Sequence, residues 1–150
     1  MLKLNALAAA TIVTTAAFVT APAAAKSADV PATLEVAFVG IEQQTGQIMM
    51  SVYDNETAHD NGGKPVRVAA VTVEGGRAVV RFDGLAPGSY AIKAFHDVDG
   101  NGEMATNPFG MPLEPFAFSN DAKPEGGPAR WHAAHFPVNA GANAVSITIK

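Results

Sequence analysis

Apolar side chains in this chain recur at every second position, and that spacing restricts the fold more than any other feature. Leu34, Val36 and Phe38 alternate with Glu35, Ala37 and Val39, and Ile48, Met50 and Val52 alternate with Met49, Ser51 and Tyr53. Val145, Ile147 and Ile149 repeat the pattern near the C-terminus. A strand sends successive side chains to opposite faces, so a period of two marks segments that bury one face of a sheet. Beyond residue 25 no stretch carries a helical period, apart from a single turn expected around Trp131 to His135.

The connections between these segments are short and rich in turn residues. The turn at Gln43-Gln44-Thr45-Gly46 predicts that the second strand returns as the antiparallel partner of the first. Val66 to Val73 and Ala78 to Phe82 flank Glu74-Gly75-Gly76-Arg77, whose adjacent glycines allow the positive φ angles of a tight hairpin. Asp54 to Lys64 is polar and aperiodic, and reads as a loop. Leu85-x-Pro87-Gly88-x-Tyr90 has the spacing of a tyrosine corner, in which a phenol hydrogen-bonds back to nearby backbone in immunoglobulin-like sandwiches. The strand Tyr90 to His96 follows it, and Ala144 to Lys150 forms the last. The fold expected is all-β, one immunoglobulin-like antiparallel sandwich of about seven strands.

Lys3 precedes an uncharged, apolar stretch from Leu4 to Ala25 that closes on Ala23-Ala24-Ala25. A basic start, an apolar middle and a small-residue exit are what export machinery and signal peptidase read, so residues 1–25 are expected to be a signal peptide and residues 26–150 the domain. A retained anchor is the competing reading, weakened by Asn5, four threonines and Pro22. With no cysteine there is neither a lipid attachment site nor a disulfide, so stability must come from packing, backbone pairing or an ion. Without Lys3, nine basic residues face fourteen acidic ones. That balance, with no basic run, argues against nucleic acid as a partner. The expected location is the periplasm or the exterior.

The heptapeptide His96-Asp97-Val98-Asp99-Gly100-Asn101-Gly102 places oxygen-bearing side chains at alternate positions in a glycine-rich loop. Calcium takes six to eight hard oxygen ligands, and a D-x-D-x-N-G run wraps several around one point. Asp97, Asp99 and Asn101 are candidate ligands, with Glu103 offering its carbonyl. An EF-hand is excluded, because Pro108 stands where the bidentate glutamate belongs. The later ligands must come from the following segment, where Asn107, Glu114, Ser119 and Asn120 are the candidates. The competing reading is that Asp-Gly and Asn-Gly simply turn the chain.

Other chemistry is thinner. His132 and His135 suit one face of a helical turn and His96 is a conceivable third zinc ligand, with His59 the remaining histidine. Ser119 lacks a nucleophile-elbow context and there is no cysteine nucleophile, so no catalysis is expected. The alternative is a small ligand carrier or hydrolase with a pocket lined by His96, Glu114 and His132.

From Glu103 to Phe136 the chain is irregular, with prolines at 108, 112, 115, 124 and 128 that cannot donate to a sheet. It also carries Phe109, Met111, Leu113, Phe116 and Phe118. Packing over an open end of the sandwich is the favoured reading, and exposure as a contact surface for an envelope protein, a glycan or a hydrophobic ligand is the other.

His96-Asp97-x-Asp99-x-Asn101-Gly102, Gly110-x-Pro112-x-Glu114-x-x-x-Phe118-Ser119-Asn120 and Ala134-x-Phe136 together resemble the bacterial exported domain of unknown function 2141, over residues 33–149. The chain departs from the usual pattern at Phe109-Gly110-Met111 and Leu113, which touches packing more than ligands. The resemblance implies a secreted or periplasmic β-sandwich of transthyretin-like type, with no established activity.

Overall fold

The computed structural model describes residues 30–150, so the signal-peptide expectation lies outside the described residues. Eight strands form two sheets packed face to face. The smaller sheet has the order β4-β1-β8, built from β1 (Ala32–Val39), β4 (Ala78–Leu85) and β8 (Gly141–Thr148). The larger has the order β3-β2-β5-β6, from β2 (Gln47–Tyr53), β3 (Arg67–Thr72), β5 (Gly88–Asp97) and β6 (Phe116–Phe118), with β7 (Phe136–Val138) also paired to β5. Leu34, Phe38, Ile48, Ile92 and Ile147 meet between the sheets with essentially no exposed surface.

Strand positions follow the alternation, but two pairings do not. β2 is not the partner of β1. The Ile41 to Gly46 connection crosses from one sheet to the other, and β2 pairs with β3 and β5 instead. Glu74 and Arg77 exchange backbone hydrogen bonds of 2.8 and 3.1 Å, so the glycine turn forms as expected. Beyond it β3 joins the larger sheet and β4 the smaller, making a corner rather than a hairpin. Alternation reports which face of a strand is buried, and the two sheets of a sandwich bury the same kind of face. β1 also pairs in parallel with β8, from Ala32 opposite Gly141 to Val39 opposite Thr148, so the sandwich is not wholly antiparallel.

The tyrosine corner is present, with the Tyr90 hydroxyl donating to the Ala86 carbonyl at 2.8 Å. Two short helices join the strands. α1 (Glu56–Asp60) lies inside the segment expected to be loop; the Asn55 side chain caps it, accepting the Ala58 N–H at 2.8 Å. α2 (Trp131–Ala134) is the turn expected there. No described helix is long and apolar enough to cross a membrane.

Candidate metal centre

β5 delivers the site. Its last residue, Asp97, lies opposite Gln47 in the β2 register, and the chain leaves the sheet there into the acidic loop. Gln47 Nε2 donates to Asp97 Oδ2 at 2.9 Å, the Asn101 N–H to Oδ1 at 3.0 Å and the Gly102 N–H to Oδ2 at 2.9 Å. Asp97 is fully buried. The Gln47 hydrogen bond holds its carboxyl below the usual carboxylate range, and the two loop N–H groups add to this against the opposing effect of burial. Gln47 was not legible as a site residue, because its role depends on the register of a neighbouring strand.

Asp99 Oδ1 accepts the Asn101 N–H at 3.1 Å, and its Oδ2 accepts Asn101 Nδ2 at 2.9 Å. Glu114, at the far end of the loop, spans it: Oε1 accepts the Val98 N–H and Oε2 the Ala105 N–H, each at 3.0 Å. Asp97, Asp99 and Glu114 each present a carboxylate oxygen, and these oxygens lie within 4.8 Å of one another. A carboxylate has about four lone-pair positions, so the N–H bonds leave capacity for a cation.

The remaining candidates fall elsewhere. Glu103 is exposed and stands outside this group, with its N–H donated to Asn101 Oδ1 at 2.7 Å. The Asn101 amide is spent within the loop, between Asp99 and Glu103. Asn107 Oδ1 accepts the N–H groups of Phe109 and Met111 at 2.9 and 3.0 Å, closing a second turn. Ser119 is buried and saturated, accepting from the Ile92 N–H at 2.8 Å and donating to the Ala134 carbonyl at 2.6 Å. Asn120 donates to the carbonyls of Ala133 and His135, so these two residues hold α2.

The histidines disperse. Among the described residues Asp97, Asp99 and Glu114 are the one group of metal-ligating side chains that converges, and neither His96, His132 and His135 nor His96, Glu114 and His132 does so. His96 Nε2 contacts the Thr45 carbonyl at 2.6 Å, and His135 stacks on Trp131 with ring centroids 5.6 Å apart.

His59 is fully buried against the rings of Tyr53 and Trp131, with Nδ1 2.8 Å from Asp60 Oδ1. Burial pushes the His59 imidazole down, outweighing the pull of Asp60 in the other direction. Burial acts to raise the Asp60 carboxyl, but hydrogen bonds from His59 and the Trp131 N–H and the nearby Arg130 charge leave it below the usual range. Both groups have a folded pKa below the unfolded value. As pH falls below about 6.5 the unfolded chain therefore takes up the His59 proton first, and stability declines from there toward the folded pKa. Thermal melts are expected to show a midpoint falling between about pH 7 and pH 5, with a smaller fall in His59→Gln. An unchanged slope in that variant would place the titration elsewhere.

The irregular segment divides. Phe116 and Phe118 pack as β6, whereas Phe109, Met111 and Leu113 are 90%, 61% and 66% exposed. A family model described as an uncharacterized protein conserved in bacteria, DUF2141, matches residues 36–146. The chain belongs to the DUF2141 family. No match was found among curated proteins or among solved structures. The DUF2141 match runs through the acidic loop, Glu114 and the Ser119–Asn120 pair, the motifs on which the resemblance was drawn.

Proposed function

We propose that this DUF2141 protein is an exported, non-enzymatic β-sandwich module of the periplasm or exterior. In this reading Asp97, Asp99 and Glu114 take a calcium-type cation that fixes the loop from Val98 to Glu114 for contact with an envelope protein or a glycan. The observation that carries it is the convergence of three carboxylates within 4.8 Å from both ends of one loop. Asp97 ends a core strand and stays ionised, while Asp99 and Glu114 belong to the loop itself, so a shared cation ties the loop to the sheet. Asn101, Glu103 and Asn107 then shape the loop through its backbone, and any contribution they make to the ion is through rearranged amides or carbonyls.

Isolated extracellular calcium sites bind at about 0.1 to 1 mM. At tenfold saturation the expected gain is about 1.4 kcal/mol, or roughly 4 to 8 °C in the melting midpoint of a small domain. Melts in excess calcium and in chelator test this. The shift should vanish in Asp99→Asn with Glu114→Gln, which retain oxygen acceptors for the loop N–H groups. No shift in the parent protein, or one that survives the double substitution, removes the cation from the reading.

A further inference from the structure

The outer face of the larger sheet breaks the alternation that governs the rest of the fold. Inward positions of β2 and β5 fill the core, yet the outward positions also carry Met49, Tyr53 and Phe95, set beside Ser51 and Lys93. A face meant for water would carry polar residues there. Two loops flank it, one bringing Met104 and Met111 and the other running through Gly126 and Gly127, and with the sheet they border a half-open cavity of about 1110 Å³. That volume is at the upper end for small-molecule sites, which are concave, mostly apolar and furnished with few polar groups. Methionine walls adapt to irregular apolar shapes.

Among the described residues Lys93 is the only charged one lining this cavity. Its ammonium donates to the His59 carbonyl and sits 5.2 Å from the centre of the Tyr53 ring. An ammonium has three protons to donate, so two remain. Among the described residues no carboxylate lies within ion-pair distance of it, although Asp60 acts on it from further away. Burial pushes its pKa down, the mark of a charge short of solvent. Here a half-buried cation without a counter-ion stands at the wall of a large, half-open, mostly apolar cavity.

We propose that this cavity binds a single-chain anionic amphiphile, its apolar chain lying across the outer sheet face and its carboxylate paired with Lys93. The sign of the ligand's charge follows from the unpaired ammonium, and the apolar body from the lining. The occupant is a free monomeric amphiphile, since among the described residues the cavity offers one ammonium, enough for one carboxylate, beside a lining that takes a single apolar chain. This names a ligand for the binding-module reading, but none of the residues involved is a carboxylate of the cation site.

Dodecanoate, held below its micellar concentration, is the probe, with titration calorimetry on the full domain as the readout. Saturable one-to-one binding is expected, weakening about fourfold for each methylene removed from the chain. Lys93→Met, which keeps the stem and removes the charge, should weaken dodecanoate about tenfold or more while leaving dodecanol unchanged, and Lys93→Arg should retain binding. Ala70→Trp fills the chamber from an exposed position on β3 and should abolish both ligands. Absence of dodecanoate binding, equal loss of acid and alcohol in Lys93→Met, or self-association abolished by Ala70→Trp without ligand binding would each overturn the proposal. So would binding only to vesicles of anionic phospholipid. Repeating the titration in calcium and in chelator separates the readings. Equal binding in both leaves the amphiphile site standing and removes the cation's role in ordering the loop, whereas a calcium-dependent melt without dodecanoate binding does the reverse.

Discussion

Gly46→Ala is expected to destabilise the domain by about 2 to 4 kcal/mol, read as a lower midpoint in urea unfolding. Gly46 has φ +79°, and a Cβ placed there would stand 2.2 Å from the Asp97 carbonyl oxygen and 2.8 Å from Val98 Cα. Left-handed backbone alone costs a non-glycine residue roughly 1 to 2 kcal/mol. The clash adds to this because the obstructing atoms are backbone, which cannot rotate away. Gly75→Ala is the matched control: φ is +57° and nothing lies within 4 Å of its added Cβ. Only the conformational cost of about 1 kcal/mol is then expected. Equal losses in the two variants would mean that the contact between the β1–β2 connection and the acidic loop is not held closely. In Gly46→Ala the strain falls directly on Asp97 and Val98, so any calcium-dependent shift should shrink as well.

The second large effect is expected at Ser119. Its hydroxyl bridges the Ile92 N–H on β5 and the Ala134 carbonyl on α2. Ser119→Ala leaves both buried backbone groups without that partner, at about 1 to 3 kcal/mol each. A loss of about 2 to 4 kcal/mol is expected, with α2 loosened first. Ala91, Phe118, Ala129 and Ala134 form a small apolar cluster beside that bridge, with Phe116, Ala122 and Trp131 packed against it. Trp131 is the chain's single tryptophan and starts α2, so its fluorescence anisotropy reports the loosening. A cost below about 1 kcal/mol, with Trp131 unaffected, would show that α2 is held by packing.

These two sites illustrate what was legible in the sequence and what was not. Strand positions were legible, because burying one face of a strand imposes a period of two on the residues themselves. Sheet membership was not. β3 and β4 leave the Gly75-Gly76 turn for opposite sheets, and the same alternation serves either arrangement. α1 does not show in the sequence although Asn55 before Glu56 is a recognisable helix start, since five residues are too few to reveal a period. Of the ligand candidates the motifs offer, Asp97, Asp99 and Glu114 converge, whereas Glu103 stands outside the group and Asn101 and Asn107 are taken up in turns. Gln47 and Lys93 do not stand out in the sequence, and Gly46 reads there only as a turn residue, because their importance is created by neighbours 34 or more residues away in the chain. Ser119 and Asn120 read in the sequence as candidate cation ligands, but their hydrogen bonds run to α2 and its C-terminal end.

The pairing of β1 with β8 has a bearing on how the molecule is made. β1 is the middle strand of its sheet, and one of its two neighbours is separated from it by about a hundred residues. Until that distant segment has been synthesised, β1 carries one bare row of amide donors and carbonyl acceptors along an otherwise apolar ribbon. Such a margin is a template for strands of other molecules, and contacts so remote in sequence form late. A nascent chain of this protein therefore remains adhesive until its final strand arrives, which gives a chaperone that shields extended apolar segments a defined interval in which to act.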